Sequence, residues 1–405
     1  MKRGSGRRAR TVYTPISPLA FQVKPGPATA VGGFAGLMQS VEHEVLAATF
    51  WFDPAPHRKF DSVSIRLSGQ RVGVIGPLQR GDRFEQDEKV EGVVFGSGPI
   101  SVTARVYGIN PGEWMVAAKM LDQNPTERAR PRRATSPRST EPVYPAAWSW
   151  RKWKLSKGSA ASVKTAWLPF IRVPGVIPGF WAAMAVLGFV VALAVQGLVI
   201  SNAHLKIDNA LAFSLFASAL GLVGAKVWFV VLRWRERRIE GWCIQGLLAG
   251  VAGAAAVGFS VFHVPSAVFL DASTPGLFFA MAIGRVGCFF GGCCAGRPTG
   301  SPWGLWSVLD QRVGMRRIPT QLMESPLALG IGLLTLVAVL SHGSFGGAIF
   351  IAGLAAYTLF RQGILSLRGG PPKSPRVGQL TAVAAAFVLV ADLLFVTMGP
   401  ALHAG

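Results

Sequence analysis

Two patterns of apolar residues divide the chain. Between residues 41 and 122, the segments EVLAATFWFD, FDSVSIRLSG, DEKVEGVVF, PISVTARVYG and EWMVAAKML alternate apolar and polar positions, and Gly, Pro, Asn and Asp fill the gaps. A period of two belongs to strands with one buried face, so this stretch predicts a small antiparallel sandwich, immunoglobulin-like or fibronectin-like. From residue 177 the alternation gives way to continuous apolar runs of membrane-spanning length. Seven are visible, over 178–200, 210–232, 241–263, 275–294, 326–341, 345–360 and 379–398; the fifth and sixth are short and predict tilt or local thinning of the bilayer. The expected fold is an all-α polytopic membrane domain of about seven transmembrane helices over 177–400, preceded by a small all-β domain.

The connecting segments read differently. Residues 1–18 are basic and without periodicity, which predicts a disordered tail. Residues 123–146 are rich in Pro, Ser, Thr and Arg and read as a linker. Residues 147–176 begin WSWRKWKLSK, a mixture of Trp with Lys and Arg that suits a membrane interface.

Composition sharpens the class. Half of the 405 residues are hydrophobic and 15% are charged, against about 25% in soluble domains. The formal net charge of +21 prefers an anionic partner. Nucleic acid and anionic phospholipid both fit that preference; in so apolar a chain the lipid is expected, and no nucleic acid. The four cysteines, Cys243, Cys288, Cys293 and Cys294, all lie in the apolar half, so no disulfide framework holds the β-rich half. The basic N-terminus is followed by no apolar h-region, so no secretory signal is expected.

Charge also predicts a topology. With seven spans, the N-terminus and the loops after the second, fourth and sixth runs share one side. Those loops carry Arg233, Arg235, Arg237 and Arg238, then Arg297, Arg312, Arg316 and Arg317, then Arg361, Arg368, Lys373 and Arg376, whereas the other side has Lys206 and little else that is basic. The positive-inside rule places the Arg-rich side in the cytoplasm.

The chemistry concentrates in GRVGCFFGGCCAGRPTG. An arginine inside a span is costly, and by default it marks function. Arg285 can clamp a phosphate with two parallel hydrogen bonds, or it can pair with a buried carboxylate, for which Asp271 and Glu324 are in range along the chain. Gly284, Gly287, Gly291 and Gly292 clear room for a ligand or a neighbouring backbone; Gly296, Arg297 and Thr299 then close the segment at headgroup depth. Cys288, Cys293 and Cys294 have no nearby histidine and form no second pair, so they read as small packing residues and no metal or other cofactor is expected. In QRVGMRRIPTQLMES, Pro319 is a helix start that puts Gln321 and Glu324 on one face of the first turns, as a polar site or as a cap. Lys226 in the second run and Gln245 at the start of the third are further intramembrane polar candidates; Lys226 can also snorkel. His43 and His57 stand alone and read as ordinary surface or core histidines.

These blocks, in this order, resemble the prolipoprotein diacylglyceryl transferase family. The family's Gly-Arg-x-Gly-Asn-Phe-x-x-Gly-x-x-x-Gly-Arg is similar to Gly284-Arg285-Val286-Gly287-Cys288-Phe289-Phe290-Gly291 with Gly296-Arg297. Its Arg-x-Pro-x-Gln-Leu-Tyr-Glu is similar to Arg317-Ile318-Pro319-Thr320-Gln321-Leu322-Met323-Glu324, and its second-span Gly-x-Arg to Gly224-Ala225-Lys226. The resemblance covers about 178–398 and not the β-rich half.

It implies transfer of the diacylglyceryl group of phosphatidylglycerol to the lipobox cysteine thiol of a prolipoprotein, in a bacterial plasma membrane. Arg285 would hold the lipid phosphate, helped by Gly287, Gly291, Gly296, Arg297 and Lys226. Arg317 would oppose charge on the leaving phosphate, and Gln321 and Glu324 would order the site. The chain departs from the family at Cys288 (Asn in the family), Met323 (Tyr), Lys226 (Arg) and Gln245-Gly246-Leu247 (His-Gly-Gly). Glutamine takes no proton near neutral pH, so either Glu324 or the substrate's own low-pKa thiolate stands in for the base, or the reaction differs, or activity is lost. The family also works at the outer face, opposite to the charge count. Two alternatives follow: a related membrane transferase with another acceptor, or an inactive scaffold that binds anionic lipid and displays the β-domain, whose partner the sequence does not name.

Overall fold

The computed structural model describes residues 44–53, 62–94, 96–121, 143–149, 152–155, 160–167, 171–203, 206–232, 243–369 and 375–402. The basic tail 1–18, most of the linker 123–146, His43, His57, Lys373 and the arginines of 233–238 lie outside the described residues. By internal contacts the chain divides into two units. One holds the N-terminal part to Phe180 together with Cys288–Thr320 and Leu367–Lys373; the other holds Trp181–Gly287, Gln321–Ser366 and Ser374–Gly405.

In the first unit the five alternating segments form strands β1 (Glu44–Phe52), β2 (Ser62–Arg71), β3 (Arg83–Glu91), β4 (Ile100–Val106) and β5 (Glu113–Leu121). Residues 147–176 contribute to β6 (Tyr144–Ser149) and supply β7 (Lys152–Leu155), β8 (Ala160–Lys164) and β9 (Ala166–Trp167). Two more strands come from the distant chain: β10 (Leu305–Leu309) and β11 (Val313–Arg317) form a hairpin. One sheet runs β10-β11-β4-β1-β6-β7, with β9 also on β1, and the other runs β3-β2-β5-β8. Leu46, Phe50, Phe52, Ile65, Leu67, Ile100, Val102 and Trp114 fill the core, and Met315 of β11 joins them.

The hairpin is fastened by more than its ladder. Val313 and Gly314 pair with Val102 and Ser101 of β4. The Trp306 indole donates to Pro99 O at 3.2 Å, and Arg312 grips the Glu88 carboxylate of β3 at 2.6 and 2.7 Å. β4 is buried at nearly every position, and β1 is buried on both faces because Ile171, Val173 and Val308 cover the face that carries Val45, opposite the sandwich core. The β-rich half and the segment that carries Arg316 and Arg317 therefore share one fold.

The second unit is helical: α1 (Phe180–Asn202), α2 (Ile207–Leu232), α3 (Ile244–Val261), α4 (Ser266–Phe290), α5 (Thr320–His342), α6 (Ala348–Leu365) and α7 (Pro375–Leu402), with the first residue of α1, the first of α5 and the end of α4 from Cys288 counted in the first unit. Among the described residues six helices are long and apolar enough to cross a membrane, and the apolar stretch of α3, Gln245–Val261, falls just short of that length. The fifth and sixth runs grow to 23 and 18 residues, so neither is short. The fourth shifts: α4 starts nine residues before Pro275, includes that proline, and stops at Phe290 before the cysteine pair.

Small residues set the helix spacing. A Cβ on Gly224 would strike Gly246 O, and one on Gly250 would strike Leu220 O and lie 2.9 Å from the Gly221 Cα, so α2 and α3 meet backbone to backbone. α1 and α4 do the same, Gly276 against Ala192 and Gly188 against Ala280. Asp271, fully buried in α4, accepts from the Phe345, Gly347 and Phe350 N–H groups and from Ser344 Oγ. Its carboxylate oxygens thereby satisfy backbone N–H groups at the start of α6, beside the Ala348 N–H that bonds to Phe345 O.

Candidate active site

In the helical unit, α4 and α5 bring Arg285 and Glu324 together. Arg285 Nε lies 2.7 Å from Glu324 Oε2, the arginine side chain 16% exposed and the glutamate 1%. The other end of the guanidinium donates to Tyr357 Oη of α6 at 3.4 Å. Tyr357 is itself buried against Phe278, and Ser325 Oγ donates to Ala282 O at 2.9 Å, tying the first turns of α5 to α4 beside the pair. The carboxylate alternative weighed for Arg285 is thus the one observed, and Glu324 rather than Asp271 is the partner; Asp271 is committed to the turn before α6.

Gln321 is 1% exposed on the same helical face as Glu324, one turn before it. Gly287 packs where a Cβ would come within 2.8 Å of Met184 Cβ on α1; the absent side chain serves helix contact. Lys226 is half-buried on α2. Gln245 sits exposed in the first turn of α3, with the Cys243 thiol 3.9 Å from its Oε1. Tyr357 is the residue the sequence reading missed. One tyrosine in an apolar helix, 72 residues from Arg285, carries no local signal.

In the first unit, the segment after α4 lies along β11. Gly296 N donates to Ile318 O, Ile318 N to Arg297 O, and Thr299 N to Arg316 O. Arg317 is 4% exposed and its Nη1 donates to Gly296 O at 3.2 Å. A Cβ on Gly296 would strike Ile318 O, so only glycine permits this approach. Arg297 N donates to Leu367 O and Gly369 N to Ala295 O, joining the segment to the chain after α6; the Arg297 side chain is exposed. Gly291 is buried and its carbonyl accepts from Gln311 Nε2. The structure brings Arg317, Gly296 and Arg297 into one group, and the N-terminal domain, the α4–α5 connection and the α6–α7 connection into one unit.

The chain matches known proteins over its helical half. The sequence profile described as prolipoprotein diacylglyceryl transferase matches residues 171–396. A phosphatidylglycerol–prolipoprotein diacylglyceryl transferase of Nostoc sp. is 31% identical over 186 residues, 40% of this chain and 65% of that protein. The second enzyme of that name from Streptomyces coelicolor is 38% identical over 130 residues, 31% of this chain and 41% of its own. The Lactococcus lactis subsp. cremoris protein of the same name is 32% identical over 177 residues, 39% of this chain and 66% of its own. The matched part spans about two fifths to two thirds of these relatives' lengths.

Proposed function

We propose, since the chain belongs to the prolipoprotein diacylglyceryl transferase family, that it moves the diacylglyceryl group of phosphatidylglycerol to the lipobox cysteine thiol of a prolipoprotein, at a bacterial plasma membrane. The observation that carries this reading is the Arg285–Glu324 pair, ionisable chemistry sunk between helices long and apolar enough to span a bilayer. Ionisable groups at such depth are costly and are retained for function.

The pair supplies both halves of the chemistry. A lipid phosphate competes with Glu324 for the Arg285 guanidinium, because both are anions that fit its planar fork. Glu324 then takes the proton from the acceptor thiol. The thiolate sulfur forms a bond to the terminal glyceryl carbon, the bond from that carbon to the phosphate oxygen breaks, and glycerol phosphate leaves with the electron pair. Tyr357, on the far end of the guanidinium, keeps its plane fixed while the partner exchanges. The motif assigns Arg317 to opposing charge on the leaving phosphate. Glu324 thereby fills the role for which Gln245 lacks a titratable group.

Membranes that contain the protein, labelled phosphatidylglycerol and a lipobox peptide should yield a thioether-linked diacylglyceryl peptide. Arg285→Ala and Glu324→Gln should each lower the rate by about 10²–10³. No product from the wild type, or equal product from Arg285→Ala, overturns the reading. The second reading, a related transferase with a different acceptor, is favoured by Gln245 at the histidine position; it predicts turnover of phosphatidylglycerol with no labelled lipobox peptide.

A further inference from the structure

The three cysteines at the end of α4 form a cluster that the transfer reaction does not use. Cys288 lies in the last turn of the helix, and the chain then reverses. Gly292 takes a left-handed conformation with φ of 69°, and Cys293 N donates back to Cys288 O at 3.1 Å. Cys293 Sγ folds toward the same carbonyl at 3.6 Å. Cys294 is itself left-handed, with φ of 58°. The sulfurs of Cys288, Cys293 and Cys294 end up within 4.8 Å of one another, each residue half-buried.

This arrangement differs from chance packing in two respects. A left-handed backbone at a residue other than Gly, Asn or Asp is unfavourable by about 1 kcal/mol or more, and it persists where surrounding structure imposes it. Here the imposing structure is explicit. Thr320 Oγ1 donates to Cys294 O, and Gln311 N donates to Gly292 O, so both flanks of the cysteine pair are held from the β10–β11 side. The second respect is distance. A metal ion equidistant from three sulfurs at about 2.3 Å requires those sulfurs about 4 Å apart. The observed spread needs a contraction of less than an ångström to reach that value.

We propose that Cys288, Cys293 and Cys294 form a three-sulfur site for a soft, thiophilic cation, with monovalent copper the best match. Thiolate ligands select copper(I), zinc and iron–sulfur groups. Zinc in a closed site wants a fourth ligand, and among the described residues no His, Asp or Glu completes the group. Three sulfurs fill a trigonal copper(I) shell by themselves. The ion would pin the end of α4 to the segment that begins two residues before Gly296, and so brace the strand-like approach of Gly296 and Arg297 to β11.

The test uses the full chain in detergent micelles, reduced and kept anaerobic, titrated with copper(I) in competition with a chromogenic chelator. One ion per chain is expected in the wild type and in Cys243→Ala, and X-ray absorption should show sulfur scatterers alone at about 2.3 Å. Cys288→Ser and Cys293→Ser should each weaken retention by at least about 10–100-fold, the loss known for lesser perturbations of metal sites. An ion held through nitrogen or oxygen, equal retention in Cys293→Ser, or no ion retained by the wild type overturns the proposal. Zinc in place of copper, with the same dependence on these three residues, corrects the ion and keeps the site. Should the serine variants fail to fold, the wild-type stoichiometry and its absorption spectrum still decide.

Discussion

Exchanging Arg285 for methionine tests the central pair most directly. Glu324 is 1% exposed and its partner's Nε is 2.7 Å away, so the single variant leaves a carboxylate in an apolar bundle without its cation. Breaking a buried pair from one side costs about 3–5 kcal/mol, whereas removing both partners and filling the volume is often neutral. Arg285→Met and Glu324→Met should therefore each destabilise by about 3–5 kcal/mol, and the double variant by much less than their sum. The coupling follows from unfolding each protein with SDS in mixed micelles, monitored by far-UV circular dichroism. Single-variant effects that add to within about 0.5 kcal/mol would show that the two side chains act independently, and the displacement step built on their pairing would fall with them. Arg285→Lys refines the result: it keeps the charge but loses the planar fork, so it should restore stability more than it restores transfer.

Other expectations follow from single positions. Gly250→Ala should destabilise by about 1–3 kcal/mol by forcing α3 away from α2, whereas Gly253→Ala on the same helix, whose Cβ would meet nothing within 4 Å, should be neutral or stabilising by SDS unfolding. Asp271→Ala should cost more than about 2 kcal/mol and loosen the Ser344–Phe350 turn, read as faster amide hydrogen exchange there, because several buried donors lose one acceptor. In the β-domain, the Asn110 amide donates to Asp82, with the Gln79 N–H and the Arg71 guanidinium beside it, and together they hold the carboxyl below its ordinary value. A depressed pKa contributes stability above the unfolded value of about 4 that is lost as pH falls through the folded value. Exchange protection of 80–114, corrected for intrinsic rate, should therefore fall in acid below about pH 4, and Asp82→Asn should flatten that dependence. Finally, a cysteine placed at Arg316 of a cysteine-free chain should label from the same side as one placed at Lys89, because both strands belong to one unit.

What the sequence disclosed was local, and what it concealed was paired at long range. Alternation found β1–β5 because each strand shows its own buried face, and hydropathy found the helices because lipid exposure needs no partner. The failures share a different cause. β10 and β11 read as a loop because their turn places Asp310 and Gln311 in left-handed conformations, at φ of 51° and 53°, where sequence signals lead one to expect Asn-Gly. The first turns of α4 fell outside the apolar run at 275–294, and Asp271 there has its oxygens used more than 70 residues away. The Trp- and Lys-rich stretch after residue 147 hid its strands because their partners are not adjacent in pattern: β6 and β7 pair with each other, and β8 and β9 that follow pair with β5 and β1.

The candidate site repeats this division. Arg285, Gln321 and Glu324 announced themselves as polar residues in an apolar setting, and the resemblance ordered them into motifs. Their energetics could not be read in the same way. Whether an arginine in a span is a waiting clamp or one half of an ion pair depends on the rotation of α5 against α4, which the Ser325–Ala282 bond and the Tyr357 hydroxyl help to set. The cysteines make the same point in reverse. Spaced along an ideal helix, Cys288 and the adjacent pair would face different ways; the reversal at Gly292 turns all three sulfurs toward one point. Residue type proposes chemistry, but the backbone reversal decides which types meet, and here it is held by hydrogen bonds from the Gln311 backbone and from Thr320, a variable position of its motif.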